Sequence, residues 1–125
     1  MILDTNALSA IAQGEPGAAN ILARARQVAI PVIVLGEYRF GIAHLRHRSE
    51  YERWLEGMVS VCRVLEINED TALWYADLRG QLKRAGTPIP SNDAWIGALC
   101  RQHALPLMSR DRHFDLIQGL QRVGW

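Results

Sequence analysis

Cysteine, lysine and long apolar runs are all scarce in this chain, and each scarcity excludes a class of protein. Two cysteines in 125 residues, Cys62 and Cys100, are too few for a disulfide scaffold. Each lies in an apolar stretch and reads as a buried thiol in a reducing compartment. Histidine and cysteine spacing suited to zinc is missing as well, and His44 and His47 read as surface residues. No segment reaches the roughly 18 apolar residues of a membrane span. The longest candidate, Val28 to Leu35, contains Pro31 and reads as a buried strand. No basic, apolar, small-residue leader opens the sequence, so a cytoplasmic protein without a membrane partner is expected. There is no glycine-rich phosphate loop and no Gly-x-Ser-x-Gly elbow. Lys83 is the only lysine, which disfavours a receiver-type phospho-acceptor pocket, where a lysine usually accompanies the acids.

What is present is the composition of an ordinary globular domain, 49% hydrophobic and 22% charged, long enough for one core and too short for two. Residues 1–125 are therefore read as a single domain. The net charge of +1 decides little, since nucleic-acid binders that rely on phosphate contacts are usually more basic. Basic residues are nevertheless concentrated between Arg39 and Arg53, where a solvated helix surface and a phosphate-binding patch are both open readings.

Strand and helix patterns alternate along the chain. Ile2-Leu3 reads as a first strand and Val28 to Val34, a β-branched run, as a second. A third lies within Val59–Ile67, a fourth at Leu105–Met108 and a final edge strand near Leu120–Val123. Helices are expected between them: around Leu8 and Ile11, from Ala18 to Arg26 behind Pro16, and through Leu35, Tyr38, Ile42 and Leu45. A fourth follows a Ser49-x-x-Glu52 start signal, a fifth carries Leu73, Trp74, Leu78 and Leu82 on one side after an Asn68 or Asp70 cap, and a sixth opens at Ser91-Asn92-Asp93. Such alternation implies parallel pairing in an α/β domain.

On that layout the acids fall into a pattern. Asp4 follows strand one, Glu37 lies in the first turn of the helix after strand two, Asp93 opens helix six and Asp111 follows strand four. Strands of a parallel sheet end on one edge, so these four acids can share a pocket there. Individually Asp4, Glu37 and Asp93 could be helix caps or first-turn acids, and Asp111 a turn residue. Together they would repel one another unless a cation neutralised them, and carboxylate oxygens are the ligands of a hard divalent ion.

Four segments carry a family resemblance: Ile-Leu-Asp-Thr-Asn at the N-terminus, Val-Leu-Gly-Glu-Tyr-Arg-Phe-Gly in the middle, Asn-Asp-Ala-Trp-Ile-Gly-Ala around Asp93, and Ser-Arg-Asp-Arg-His-Phe at residues 109–114. In order and spacing the chain resembles the PIN-domain ribonucleases, most nearly the bacterial VapC-type toxins. The resemblance implies a three-layer αβα fold with a central, mainly parallel sheet of four to five strands. It implies a Mg²⁺- or Mn²⁺-dependent endoribonuclease, the toxin of a type II toxin–antitoxin pair, whose acids are Asp4, Glu37, Asp93 and Asp111. Thr5 and Ser109 would be supporting hydroxyls, and Asn6 and Asn92 neighbouring amides. Asp115 is a further acid found in several members, and Asp111 is favoured over it as the fourth acid at the metal. Candidate RNA contacts are Arg39, Arg46, Arg48, Arg110 and Arg112. Partners implied are RNA, a small antitoxin with a DNA-binding half, and a second copy of the chain, in a heterotetramer or larger assembly with the antitoxin. Tyr38, Phe40, Trp54, Trp74 and Tyr75 could serve the dimer, although most are expected in the core. A PIN-like nuclease of housekeeping RNA processing or DNA cleavage, and a non-enzymatic metal-binding regulatory domain, stay open as other readings.

Overall fold

Five short strands, β1 (Ile2–Leu3), β2 (Ala29–Pro31), β3 (Arg63–Leu65), β4 (Leu107–Met108) and β5 (Arg122–Val123), pair side by side in the order β3-β2-β1-β4-β5, all parallel. The computed structural model describes every residue from Met1 to Trp125. Ile2 pairs with Ala29 on one side and with Leu107 on the other, so β1 is the central strand. Ile2, Leu3, Leu107 and Met108 are all fully buried, as strands covered on both faces require.

Six helices flank the sheet in the three-layer αβα arrangement: α1 (Thr5–Ala12), α2 (Pro16–Arg24), α3 (Val32–Ile42), α4 (Arg48–Val61), α5 (Glu69–Arg84) and α6 (Ser91–His103). A 3₁₀ turn, Arg112–Leu116, links β4 to β5. The chain steps outward from β1 to β2 to β3, then returns through α5 and α6 to place β4 on the opposite side of β1. That reversal makes the carboxyl ends of β1 and β4 a topological switch point, where open parallel sheets form a crevice.

Three local expectations are corrected. The second strand ends at Pro31, and Val32-Ile33-Val34 opens α3 instead of extending the strand. Helical winding buries Val34, Tyr38 and Ile42 along one stripe, and this packing overrides the β preference of the branched side chains. Glu37 consequently sits in the second turn of α3, not the first. Helix α4 starts at Arg48 behind His47 without a side-chain cap. The Ser49–Glu52 box does not form: the helix already begins at Arg48, which puts Ser49 inside its first turn, and Glu52 pairs with Arg39 of α3. On α5 the buried stripe is Thr71, Leu78 and Leu82, whereas Leu73 is 70% and Trp74 37% exposed. The cap of that helix is Asn68, whose carboxamide accepts from the Thr71 N–H at 3.1 Å.

Candidate active site

Asp4 leaves β1 and caps α1 in the same step, its Oδ1 accepting the Ala7 N–H at 2.8 Å. Both readings of this residue therefore hold: it is a helix cap and it faces the crevice. Only 4% of it is exposed. Burial raises its pKa above the ordinary carboxylate range, the Ser109 hydroxyl and the Ala7 N–H offset part of this, and the charges of Asp93 and Asp111 push it up again. Across the switch point the Asp4 N–H donates to the Met108 carbonyl at 3.3 Å, which fixes β4's exit beside it.

Ser109, fully buried, is the first residue past β4. Its hydroxyl accepts the Asp111 N–H at 3.0 Å and bends the loop so that Asp111 returns toward Asp4. Asp111 then caps the 3₁₀ turn, accepting the His113 N–H at 3.2 Å. Asp93 enters from the first turn of α6 and is half-buried. Its pKa is raised, first by burial, with Asp111 and Glu37 adding to the rise and His113 opposing it. Glu37 reaches in from α3, held by the Thr5 hydroxyl, which donates to its Oε1 at 2.8 Å. The four predicted acids thus meet at the carboxyl edge of the sheet, two of them with elevated pKa values because too little solvent and too much like charge surround them.

Other predicted residues divide. Asn6 and Asn92 are exposed and hold nothing in place through their side chains. Asp115 turns to Arg122, which grips it through Nε at 2.8 Å and Nη2 at 3.0 Å and holds its carboxyl below the usual range. Asp111 is therefore the acid beside Asp93. Arg39 is paired with Glu52, and Arg110 with Glu15 while its guanidinium lies 4.5 Å from the Trp125 ring centre. Arg46, Arg48 and Arg112 are exposed and carry no ion pair.

His113 joins the acids, although its own surroundings in the sequence carry no sign of this. Its Nε2 lies 2.8 Å from Asp93 Oδ2 and its Nδ1 2.8 Å from Asp111 Oδ1, so the imidazole bridges two of the acids. It lies in the Ser-Arg-Asp-Arg-His-Phe segment, two residues past Asp111. Only the tightness of the turn at Asp111 could have marked it. Ligand atoms of Asp93, Asp111 and His113 all lie within 4.8 Å of one another, close enough to share one cation.

Beside the acids, between α1 and α3, runs a groove of about 220 Å³ whose rim includes Thr5, Gln13, Glu37, Leu45 and Tyr51. A larger hollow of about 520 Å³, lined mainly by apolar residues such as Leu22, Val28, Met58 and Leu105 together with Arg26 and Arg63, contains no acid.

An acid-lined crevice at the switch point of a parallel sheet places the protein among α/β proteins that act beyond their strand ends. The PIN domain profile matches residues 1–120, and the chain belongs to the PIN-domain family. It is 31% identical over 100 residues to ribonuclease VapC5 of Mycobacterium tuberculosis, covering 78% of this chain and 73% of that protein. Its fold superimposes on that of VapBC2 from Rickettsia felis, solved bound to a DNA fragment from its promoter, with a TM-score of 0.88 at 22% identity, over 99% of this chain and 97% of that one. A toxin–antitoxin complex from Klebsiella pneumoniae gives a TM-score of 0.77 at 27% identity, over 95% and 93% of the two chains.

Proposed function

We propose that this protein is a divalent-metal-dependent endoribonuclease and the toxin of a toxin–antitoxin pair. The observation that carries the reading is the convergence of Asp4, Glu37, Asp93 and Asp111, with the pKa values of Asp4 and Asp93 raised. Clustered, partly desolvated carboxylates at neutral pH ask for a cation, and an oxygen-rich donor set suits Mg²⁺ or Mn²⁺. Asp4, Asp93 and Asp111 would hold it. When bound, such an ion makes a water nucleophilic at neutral pH and stabilises charge on a phosphoryl oxygen.

The chain's own groups supply the rest. Thr5 occupies Glu37 Oε1, which leaves Oε2 to orient an attacking water and accept its proton. The buried Ser109 hydroxyl keeps Asp111 folded toward Asp93. Arg46, Arg48 and Arg112, being unpaired, are the candidates to meet RNA phosphates, whereas Arg110 and Arg39 already serve the fold. RNA as the substrate rests on the kinship with VapC5, named a ribonuclease.

The antitoxin is the second half of the proposal. Tyr38 and Ile42, though only 4% and 5% exposed, line the α1–α3 groove together with Leu45, which is 47% exposed. This groove beside Glu37 is the docking place for an antitoxin segment, with an arginine of that segment able to pair bidentately with the acids. Phe40, 76% exposed, together with Leu73 and Trp74 leaves apolar surface for a second copy, while Trp54 and Tyr75 pack against the core. Expression in a bacterium with and without the neighbouring gene product tests the toxin assignment. Growth should arrest with the toxin alone and recover on co-expression. A harmless protein whose nuclease rate ignores every co-expressed neighbour would leave a nuclease that is not a toxin.

A further inference from the structure

We infer that His113 is itself a metal ligand, which makes the site a mixed nitrogen and oxygen set that favours Mn²⁺ over Mg²⁺. The inference rests on the metal-site reading above and concerns which residues complete it. A histidine that only supports a carboxylate ligand needs one ring nitrogen on that carboxylate and can sit behind it. Here both ring nitrogens are engaged, Nε2 on Asp93 and Nδ1 on Asp111, each at 2.8 Å. The ring therefore lies between the two acids, and to ligate a cation shared by them one ring nitrogen gives up its contact with a carboxylate and turns its lone pair to the ion.

Its freedom to move away is small. The backbone of His113 is tied by its N–H to Asp111 in a 3₁₀ turn that begins at Arg112, and its ring leans on buried Phe114 at a centroid distance of 5.1 Å. Rotation about the side-chain bonds can release the carboxylates, but leaving the neighbourhood would require unwinding the turn that Asp111 caps. An arriving cation thus meets an imidazole nitrogen together with the two carboxylates, whose ligand atoms already lie within 4.8 Å. Imidazole contributes most to later first-row ions and least to Mg²⁺, which draws on oxygen and water.

Pulsed electron paramagnetic resonance of the purified chain loaded with Mn²⁺ alone reads this directly, without reference to catalysis. Wild-type protein should show coupling from one imidazole nitrogen to the bound Mn²⁺, shifted as expected when the histidines carry ¹⁵N and absent in His113→Gln. In that variant Mn²⁺ affinity should fall roughly tenfold or more, while Mg²⁺ affinity changes by less than about threefold. Circular dichroism checks that the variant folds; if it does not, His113→Asn takes its place, since ¹⁵N in all four histidines identifies an imidazole but not which one. Mn²⁺ bound with no nitrogen coupling, or coupling that persists in His113→Gln, overturns the inference and leaves the metal site standing. No Mn²⁺ binding by the wild type overturns the metal site and the inference together.

Discussion

Replacing Asp4 separates its two duties. As a cap, its carboxylate satisfies the Ala7 N–H at 2.8 Å. As a site acid, it is held nearly out of water beside Asp93 and Asp111, with its pKa raised by burial and by their charge. Asparagine caps helices about as well as aspartate, so Asp4→Asn keeps the first duty and removes the charge. Alanine removes both. In EDTA at pH 7, Asp4→Asn should be at least as stable as the wild type, because a buried charge that costs free energy has gone. Asp4→Ala should lie below Asp4→Asn by the worth of the cap, about 1 kcal/mol, or roughly 4 °C in Tm for a chain of this size. With Mn²⁺ present the order changes: only the wild type should gain in Tm, since stabilisation follows ligand binding to the folded state. Thermal unfolding of the three proteins, with and without Mn²⁺, gives all the comparisons. If Asp4→Asn in EDTA falls as far as Asp4→Ala, the carboxylate is not held against an electrostatic cost, and the argument for a cation at this site loses its basis.

Thr5→Val should leave the fold nearly intact, costing about 1 kcal/mol for one lost hydrogen bond, and reduce RNA cleavage by roughly ten- to a hundredfold because Glu37 is no longer held; cleavage at the wild-type rate would remove Thr5 from the site. In metal-free protein, these two acids should make stability rise as pH falls from neutral toward the ordinary carboxylate range, about 4. Asp4 and Asp93 have raised folded pKa values, so the folded state binds more protons than the unfolded state in that window, and denaturant titrations at several pH values check the slope. Gly97→Ala should cost about 1–3 kcal/mol, since the new methyl would stand 2.7 Å from Ile117 Cδ1 and 3.3 Å from Leu78 Cδ1 in the packed layer between α5 and α6; chemical denaturation measures it, and an unchanged midpoint would mean that Ile117 moves freely.

The sheet and its acids were legible because both obey short-range rules. Ile2-Leu3-Asp4 carries strand, edge and carboxylate in three residues, and the alternation behind it implies parallel pairing. What could not be read depends on contacts between distant segments. Val32 to Val34 looks like strand and becomes helix because the buried stripe of α3 needs it. The Ser49–Glu52 signal is displaced because the helix starts one residue earlier, at Arg48, and Glu52 turns to Arg39 on another helix. Arg110 has the charge to meet RNA, but Glu15 and Trp125, both far from it in sequence, hold it in the fold. His113 stayed hidden for the same reason. Nothing in its own neighbourhood says that Asp93, twenty residues earlier on α6, lies against its ring.

The central claim, that these acids form a metal-dependent ribonuclease site, is tested most directly by one titration. Purified protein is stripped with EDTA, then Mn²⁺ or Mg²⁺ is added back to wild type and Asp93→Asn while cleavage of a labelled single-stranded RNA is followed. The wild type should be silent in EDTA and recover with the added ion, and Asp93→Asn should remain silent at every metal concentration while staying folded. Undiminished cleavage in EDTA, or an Asp93→Asn protein that cuts at the wild-type rate, would contradict the account.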